Sequence, residues 1–331
     1  MNEQPMNPPA QNIFSNLRQL VTYPPMLAML LAVLLFILGG IIQPGFTRFE
    51  QAMNILRLAA FLAIIAAGQT LVIISGGEGI DLSIGAMVTL GAILSYGIVN
   101  KSDERILPGL LVTLAGGLFI GLINGVGIAY LRIPPLVMTL GMTSVVRGLV
   151  YAVTKGELTG GASPLMSAIV VKPLVLGIPG LLFISAIVAL LMWILLERIT
   201  YGKHLFAIGV NRVTARLNGV RVSWTIVATY MLCSMLAAFG GFLFLGYYEH
   251  VFLNLGEKYT LPAVAAVVMG GTTLAGGSGS YWGTIAGAIV LVLIESLLTT
   301  LQMQDYARQI VYGLVLLVLL AAYGRQKGLR Q

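Results

Sequence analysis

Three ionisable side chains in apolar surroundings are the first candidates for chemistry in this sequence. Asp81 follows a glycine-rich stretch and directly precedes an apolar run, Glu295 lies inside another run, and Arg147 interrupts a third. Charged groups in such segments are costly and usually face a polar pathway, a proton site or a hydrogen-bonding partner. Asp81 therefore suggests gating or substrate passage, and Glu295 suggests a polar pathway or proton binding.

Each of these residues also has a structural interpretation. Asp81 or Ser83 fits the cap of a helix that starts near Leu82. Glu295 fits a carboxyl group hydrogen-bonded inside a helical bundle, and Arg147 lies near enough to the end of its run to snorkel. The sequence leaves both interpretations open.

Catalysis finds little support. The stretch at Gly202-Lys203-His204 lacks the upstream glycine and the hydroxyl residue of a phosphate-binding loop. No H-E-x-x-H or G-x-S-x-G motif is present, and a single cysteine, Cys233, permits neither a disulfide framework nor a cysteine metal site. We therefore predict no catalytic residues and no metal site.

Composition places the chain in a membrane. Of 331 residues, 58% are hydrophobic and only 9% are charged, whereas soluble domains carry roughly 25% charged residues. The formal net charge of +7 comes from bases at the ends of apolar runs. This is the pattern of the positive-inside rule and not of a nucleic-acid-binding patch. We expect contact with membrane lipid and none with nucleic acid.

Apolar runs long enough to span a bilayer, about 20 residues each, predict an all-α, polytopic transmembrane helical bundle of about ten spans. A run over 259–294 is too long for one helix, and its glycine-rich middle at 270–280 should divide it in two. The other runs are 19–47, 58–77, 82–100, 106–131, 134–153, 173–196, 222–248 and 309–324.

The distribution of basic residues predicts the orientation. The segment 198–222, hereafter the coupling segment, and the tail after Gly324 both contain bases and no acid. Both are expected in the cytoplasm, with the N-terminus on the same side. The expected organisation is a cytoplasmic N-terminal tail at 1–25, a transmembrane domain at 26–324 and a cytoplasmic C-terminal tail at 325–331.

Four motifs in order make the sequence recognisable between about residues 50 and 325. They are Gly-Glu-Gly-Ile-Asp-Leu-Ser-Ile-Gly at 77–85, Ile-Pro-Pro-x-x-x-Thr-Leu-Gly-Met at 133–142, Ala-Ile-Gly-x-Asn at 207–211, and Val-Val-x-Gly-Gly-Thr-x-Leu-x-Gly-Gly-x-Gly-Ser at 267–280. With these motifs the chain resembles the permease subunits of bacterial ABC sugar importers of the ribose/xylose/autoinducer-2 type. Two departures are Glu78-Gly79, an insertion in the first motif, and Val210, where the family has glycine.

The resemblance implies a type II-like ABC importer permease fold in the bacterial inner membrane. It also implies two ATPase subunits on the cytoplasmic face, a second permease subunit and an extracytoplasmic sugar-binding protein. ATP and Mg would be bound by the ATPase chains, so that no cofactor belongs to this chain. The substrate implied is a small neutral sugar or polyol.

The resemblance also assigns roles to residues. Coupling to the ATPase would involve residues of the coupling segment, namely Thr200, Gly202, Ala207, Ile208, Gly209, Asn211, Ala215, Arg216 and Gly219. The translocation path and its gating would involve Gln69, Gly77, Asp81, Ser83, Asn124, Thr139 and Glu295, whose neutral members would line the path.

Three alternatives remain. A proton- or ion-coupled secondary transporter would use Glu295 as the coupling carboxylate. A membrane-embedded transferase would use Asp81 with Glu78 as the second catalytic group. An ABC permease for another small solute, such as a branched-chain amino acid, would share the fold and the partners.

Overall fold

A computed structural model describes residues 23–304, 306–311, 313–314 and 317 of the chain. Helices dominate these residues, in agreement with the predicted all-α class. Of the expected segments, the tails at 1–25 and 325–331 and the span at 309–324 lie wholly or largely outside the described residues. In chain order the first helices are α1 Pro24–Ile42, α2 Phe49–Ile74, α3 Ile84–Val99, α4 Ile106–Ala129, α5 Pro135–Thr154 and α6 Pro164–Val171.

A small antiparallel hairpin follows, in which β1 Pro173–Val175 pairs with β2 Ile178–Pro179. The remaining helices are α7 Gly180–Trp193, α8 Thr200–Val210, α9 Arg212–Leu217, α10 Val222–Tyr248, α11 Thr260–Met269 and α12 Tyr281–Thr300. A π-helical turn at Ile194–Arg198 follows α7, and single 3-10 turns lie at Asp103–Arg105 and Glu257–Tyr259.

Helix boundaries follow local signals in the sequence. Proline occupies the first turn of α1, α5 and α6. It is tolerated there because the N–H groups of the first turn have no acceptor within the helix, so the N–H that proline lacks is not needed. Helices α3, α5 and α10 end at Asn100, Lys155 and Glu249, all in the left-handed conformation that commonly terminates a helix.

Seven helical segments among the described residues are long and apolar enough to cross a membrane. The expected count of ten is therefore not confirmed. Helix α3 has 16 residues and α11 only 10, or about 24 Å and 15 Å at 1.5 Å per residue. A bilayer core is about 30 Å thick, so α11 reaches only part of the way. The predicted division at 270–280 is present, but it separates a half-length helix from the full-length α12.

Helix α10 lies at the centre of the bundle and contacts α2, α3 and α4. Helix α12 packs on α1, α2 and α11. Small residues of α4 permit its close approach to α10: a Cβ at Gly121 or Gly125 would overlap the α10 backbone at Tyr230 or Val227. Close contact of this kind provides the packing that holds helices together in lipid.

The connections between the helices lie at two ends of the bundle. The hairpin end contains β1 and β2, and the coupling end contains the coupling segment. At the hairpin end, Lys101 N donates to Gly161 O at 3.0 Å and Ala162 N to Glu249 O at 3.5 Å. At the coupling end, Gly277 N donates to Ile74 O at 2.9 Å, close to the coupling segment. The short helix α9 lies within the coupling segment at this end.

Candidate functional site

A buried polar network surrounds Asp81, in the segment between α2 and α3. Asp81 Oδ1 accepts hydrogen bonds from Ser83 N at 2.8 Å and Ser83 Oγ at 2.5 Å. Asp81 N donates to Gln69 Oε1 at 3.3 Å, and Asn124 Nδ2 donates to Ser83 Oγ at 3.1 Å. The structure thus brings together four predicted path residues that are up to 55 positions apart in sequence.

Asp81 makes a turn of the chain rather than capping the helix itself. Ser83 occupies the N-cap position of α3, but its side chain makes no capping hydrogen bond. Its hydroxyl and its N–H both bond the Asp81 carboxylate two residues earlier, which is an Asx-type turn. The capping interpretation is therefore correct only in that Asp81 fixes the entry into α3.

Hydroxyl groups of α5 hold the same segment from a second side. Thr139 Oγ1 accepts a hydrogen bond from Leu82 N at 3.1 Å and donates to Pro135 O at 2.9 Å. One turn later, Thr143 Oγ1 lies 3.2 Å from Leu82 O. Thr139, a fifth predicted path residue, therefore belongs to the network, and Thr143 was not anticipated.

Several polar atoms of this region are buried without a hydrogen-bond partner. They are Gln69 Nε2, Asp81 Oδ2 and Asn124 Oδ1, together with Tyr230 OH and Ser234 Oγ of α10. The Cys233 thiol lies beside the Asp81 carboxyl group. Unpaired buried groups are costly and uncommon in native proteins, so their concentration here marks the network as more than a packing device. Tyr230 and Ser234 were not predicted as site residues, and Cys233 was considered only for a disulfide or a metal site, because all three lie in an otherwise apolar span.

Five of the predicted path residues are fully buried in this structure, and their role in the path stays a prediction. Gln69, Asp81, Ser83, Asn124 and Thr139 have no solvent exposure at all. Gln69, Asp81 and Thr139 hydrogen-bond the backbone between Ile80 and Ser83, so these side chains position that segment.

A junction of three glycine-containing segments joins the network to the coupling segment. Arg212, the first residue of α9, donates from Nη2 to Gly76 O at 3.1 Å. A Cβ on Gly77 would overlap the same guanidinium group. Gly209 of α8 lies so close to Ile74 O and to the backbone of Gly277 that no side chain fits. We call this contact region the glycine junction.

The predicted coupling residues fall into two groups. Gly202, Ile208 and Ala215 are buried, while Gly209 is half-buried in the glycine junction. Asn211 caps α9, because its Oδ1 accepts from Val213 N and Thr214 N at 2.9 and 3.0 Å. The residues left exposed for a partner are Thr200, Ala207, Asn211, Arg216 and Gly219. Three exposed apolar side chains beside them were not predicted, namely Val210, Val213 and Leu217.

An ion pair lies on the face of α5 that carries Thr143. Arg147, one turn after Thr143, donates from Nη2 to Glu257 Oε1 at 3.0 Å, with side-chain exposures of 50% and 46%. Arg147 is seven residues from the end of its helix, or about 10 Å. The snorkelling interpretation is incomplete, because the guanidinium group has a protein partner.

Glu295 stands apart from these groups. It lies on α12, where its side chain is exposed on the surface of the chain, and it is near Tyr259 rather than Asp81. Of the two interpretations left open for Glu295, the carboxyl group hydrogen-bonded inside the bundle does not fit this exposed position. Glu78, the second group of the transferase hypothesis, is exposed while Asp81 is fully buried.

Comparison with known proteins identifies the kind of site. Residues 51–320 match the family described as "Branched-chain amino acid transport system / permease component". The chain belongs to this family of permease components. The permease is accordingly a transport subunit and not an enzyme, and the Asp81 network, the glycine junction and the coupling segment all lie within the matched residues.

Curated relatives cover nearly all of the permease. It is 35% identical to the galactose/methyl galactoside import permease protein MglC of Haemophilus influenzae, over 87% of this chain and 91% of the relative. It is 33% identical to the ribose import permease protein RbsC of Escherichia coli K12, over 87% and 90%. It is 31% identical to the autoinducer 2 import system permease protein LsrC of Shigella flexneri, over 90% and 86%. No solved structure matches the chain significantly.

Proposed function

We propose that this permease forms the membrane path of an ATP-driven importer for a small neutral sugar. The observation that carries this proposal is its similarity, over at least 86% of both chains, to permeases named for the import of ribose, galactosides and autoinducer 2. These relatives favour the sugar hypothesis over the branched-chain amino acid alternative, although the family description names the latter solutes.

The permease would lie in the bacterial inner membrane with its coupling end in the cytoplasm. The bases of the coupling segment and of the C-terminal tail support this orientation. Both termini would then be cytoplasmic, and the hairpin end would face the extracytoplasmic sugar-binding protein. ATP and Mg would be held by ATPase chains at the coupling end.

The path itself would run along the face of α5 that carries Thr143 and Arg147, and a second permease subunit would complete it. An exposed ion pair is strongly disfavoured against lipid tails, so this face is suited to water, substrate or a protein partner. The Arg147–Glu257 pair lies towards the hairpin end and would close the path on that side. The Asp81 network would act behind this face as a support, because it fixes Leu82 against Thr139 and Thr143.

Movement of the ATPase would reach the network through the glycine junction. Arg212 is at once the start of α9 and the hydrogen-bond donor to Gly76, five residues before Asp81. A displacement of α9 would therefore pull on the segment that leads to Asp81. The close backbone contacts of Gly209 with Ile74 and Gly277 leave little room for the parts to slip past one another.

Docking of the ATPase would use the exposed apolar residues of the coupling segment. Leu217 is 83% exposed, and a large apolar side chain in this position suits a pocket on a partner. We expect Leu217→Glu to prevent co-purification of the ATPase from the native cell and to abolish sugar uptake. Leu176→Glu is a matched control for ATPase co-purification, because Leu176 is 88% exposed at the opposite, hairpin end.

Comparison of these variants tests the proposal directly. Co-purification of the ATPase with the Leu217→Glu variant would contradict the proposal that the ATPase docks on the coupling segment. Absence of any ATPase chain from the wild-type purification would reject the ATP-driven importer as a whole.

A further inference from the structure

A basic cavity lies between the coupling segment and the main bundle. Its volume is about 300 Å³, and its walls include Arg132 from the connection before α5, Arg212 and Arg216 from α9, and Ser223 from the start of α10. The apolar part of the wall comes from the last turn of α4 and the first turns of α10. The cavity therefore lies where helices leave the membrane, at the coupling end.

Among the described residues, no acidic side chain contributes to the wall and balances the charge of the three arginines. The Arg147–Glu257 pair is the salt bridge found in the same part of the chain. Arg212 uses one terminal nitrogen for Gly76 O, whereas its Nε is buried without an acceptor. Arg132 and Arg216 are exposed and Arg212 is half-buried. Guanidinium groups cannot lose their charge in proteins, so three of them around one cavity favour the binding of an anion there.

The chemistry of the wall favours a phosphate group. Arginine presents paired N–H donors that match phosphate oxygens, and the Ser223 hydroxyl can add a further hydrogen bond. Apolar side chains next to the arginines suit the glycerol and first methylene groups of a lipid. The same cations would also accept a free phosphoester from the cytoplasm.

We propose that this cavity binds a phosphate group, and that its occupant ties Arg132 to α9. The occupant would hold the coupling segment against the connection between α4 and α5. It would therefore stabilise one position of the element through which the ATPase acts. This inference concerns binding at the cavity and does not depend on the identity of the transported solute.

Thermal stability of the purified full-length permease in nanodiscs tests the proposal. Three conditions are compared: phosphatidylcholine alone, phosphatidylcholine with phosphatidylglycerol, and phosphatidylcholine with added glycerol 3-phosphate. The test variant is Arg132→Gln/Arg216→Gln, which leaves Arg212 at the glycine junction. The control variant is Lys203→Gln/Arg221→Gln, which removes two charges from the same segment but outside the cavity.

We expect the wild type and the control variant to melt at a higher temperature when one of the two phosphate compounds is present. The test variant should bind that compound roughly tenfold more weakly or worse, because charge-assisted hydrogen bonds are lost. A response to phosphatidylglycerol identifies a lipid headgroup, and a response to glycerol 3-phosphate identifies a free phosphoester. Equal responses of test and control variants, or no response of the wild type, would overturn the proposal. A matching circular dichroism spectrum and gel-filtration profile for the variants excludes misfolding as the cause.

Discussion

At the scale of single residues, Asp81 organises the candidate site through one oxygen atom. Oδ1 accepts both hydrogen bonds from Ser83, and Ser83 Oγ in turn accepts a hydrogen bond from Asn124 Nδ2. The directions are fixed, because the Ser83 hydroxyl has one proton and gives it to Asp81. Asp81 should therefore act mainly as an acceptor that shapes the backbone.

Substitution of Asp81 separates shape from charge. Asp81→Asn keeps an acceptor at Oδ1 and should retain most of the transport activity, whereas Asp81→Ala leaves the N–H and O–H donors of Ser83 without their acceptor. We expect the alanine variant to lose about 2–4 kcal/mol of stability, since a hydrogen bond to a charged group is removed and a buried group is orphaned. Thermal unfolding and uptake measure the two effects. Loss of uptake in a well-folded Asp81→Asn variant would instead mean that the charge itself is required.

The Arg147–Glu257 pair allows a charge-exchange test. In the native pair, Arg147 Nη2 lies 3.0 Å from Glu257 Oε1. Arg147→Glu and Glu257→Arg each place two like charges at this contact, and each should reduce uptake about tenfold or more. The double variant restores attraction and should recover much of the activity. Glu104→Arg is the control, because Glu104 is exposed in the 3-10 turn at the same end. A double variant no better than the single variants would contradict a role for the pair.

At the scale of elements, the glycine junction should be intolerant of side chains. Gly209→Ala places a methyl group onto the Ile74 carbonyl oxygen and the Gly277 backbone, and we expect a loss of about 1–3 kcal/mol from overpacking. Uptake should fall further than stability, because the contact between α8 and the end of α2 is altered. Gly97→Ala serves as the control, since no atom lies within 4 Å of its added Cβ. Equal uptake by the two variants would exclude the junction from coupling.

Sequence patterns predicted the helices better than they predicted the contacts between helices. The apolar runs and the glycine-rich break at 270–280 predicted α2, α4, α5, α10 and α12. The entry into α3 beside Asp81 was also predicted. These features depend on residues within one or two turns of each other.

Features that depend on distant residues were not predicted. The glycine junction joins Gly76, Gly209 and Gly277 across 201 positions, and no local pattern records that contact. The burial of the predicted path residues was missed for the same reason, because a polar side chain in an apolar span suits a cavity or a hydrogen-bonded core equally. Arg147 and Glu257 belong to separate elements, so their pairing became visible only in the fold.

At the scale of the whole molecule, the bundle is not a set of equal spans. The short helices α3 and α11 and the irregular segments at 75–83 and 270–280 are surrounded by longer helices. Irregular backbone at membrane depth is tolerated when protein encloses it. This arrangement places the irregular segments next to the coupling segment, where an ATPase would act.

Transport by the reconstituted permease tests the central proposal most directly. Proteoliposomes would contain the permease, its ATPase on one side and its binding protein on the other, with labelled ribose and galactose as probes. We predict accumulation of a sugar that requires ATP and both partners, is unaffected by collapse of the proton gradient, and persists in Glu295→Gln. Uptake that is driven by a proton gradient without the ATPase, and is lost in Glu295→Gln, would contradict the proposal and favour a secondary transporter.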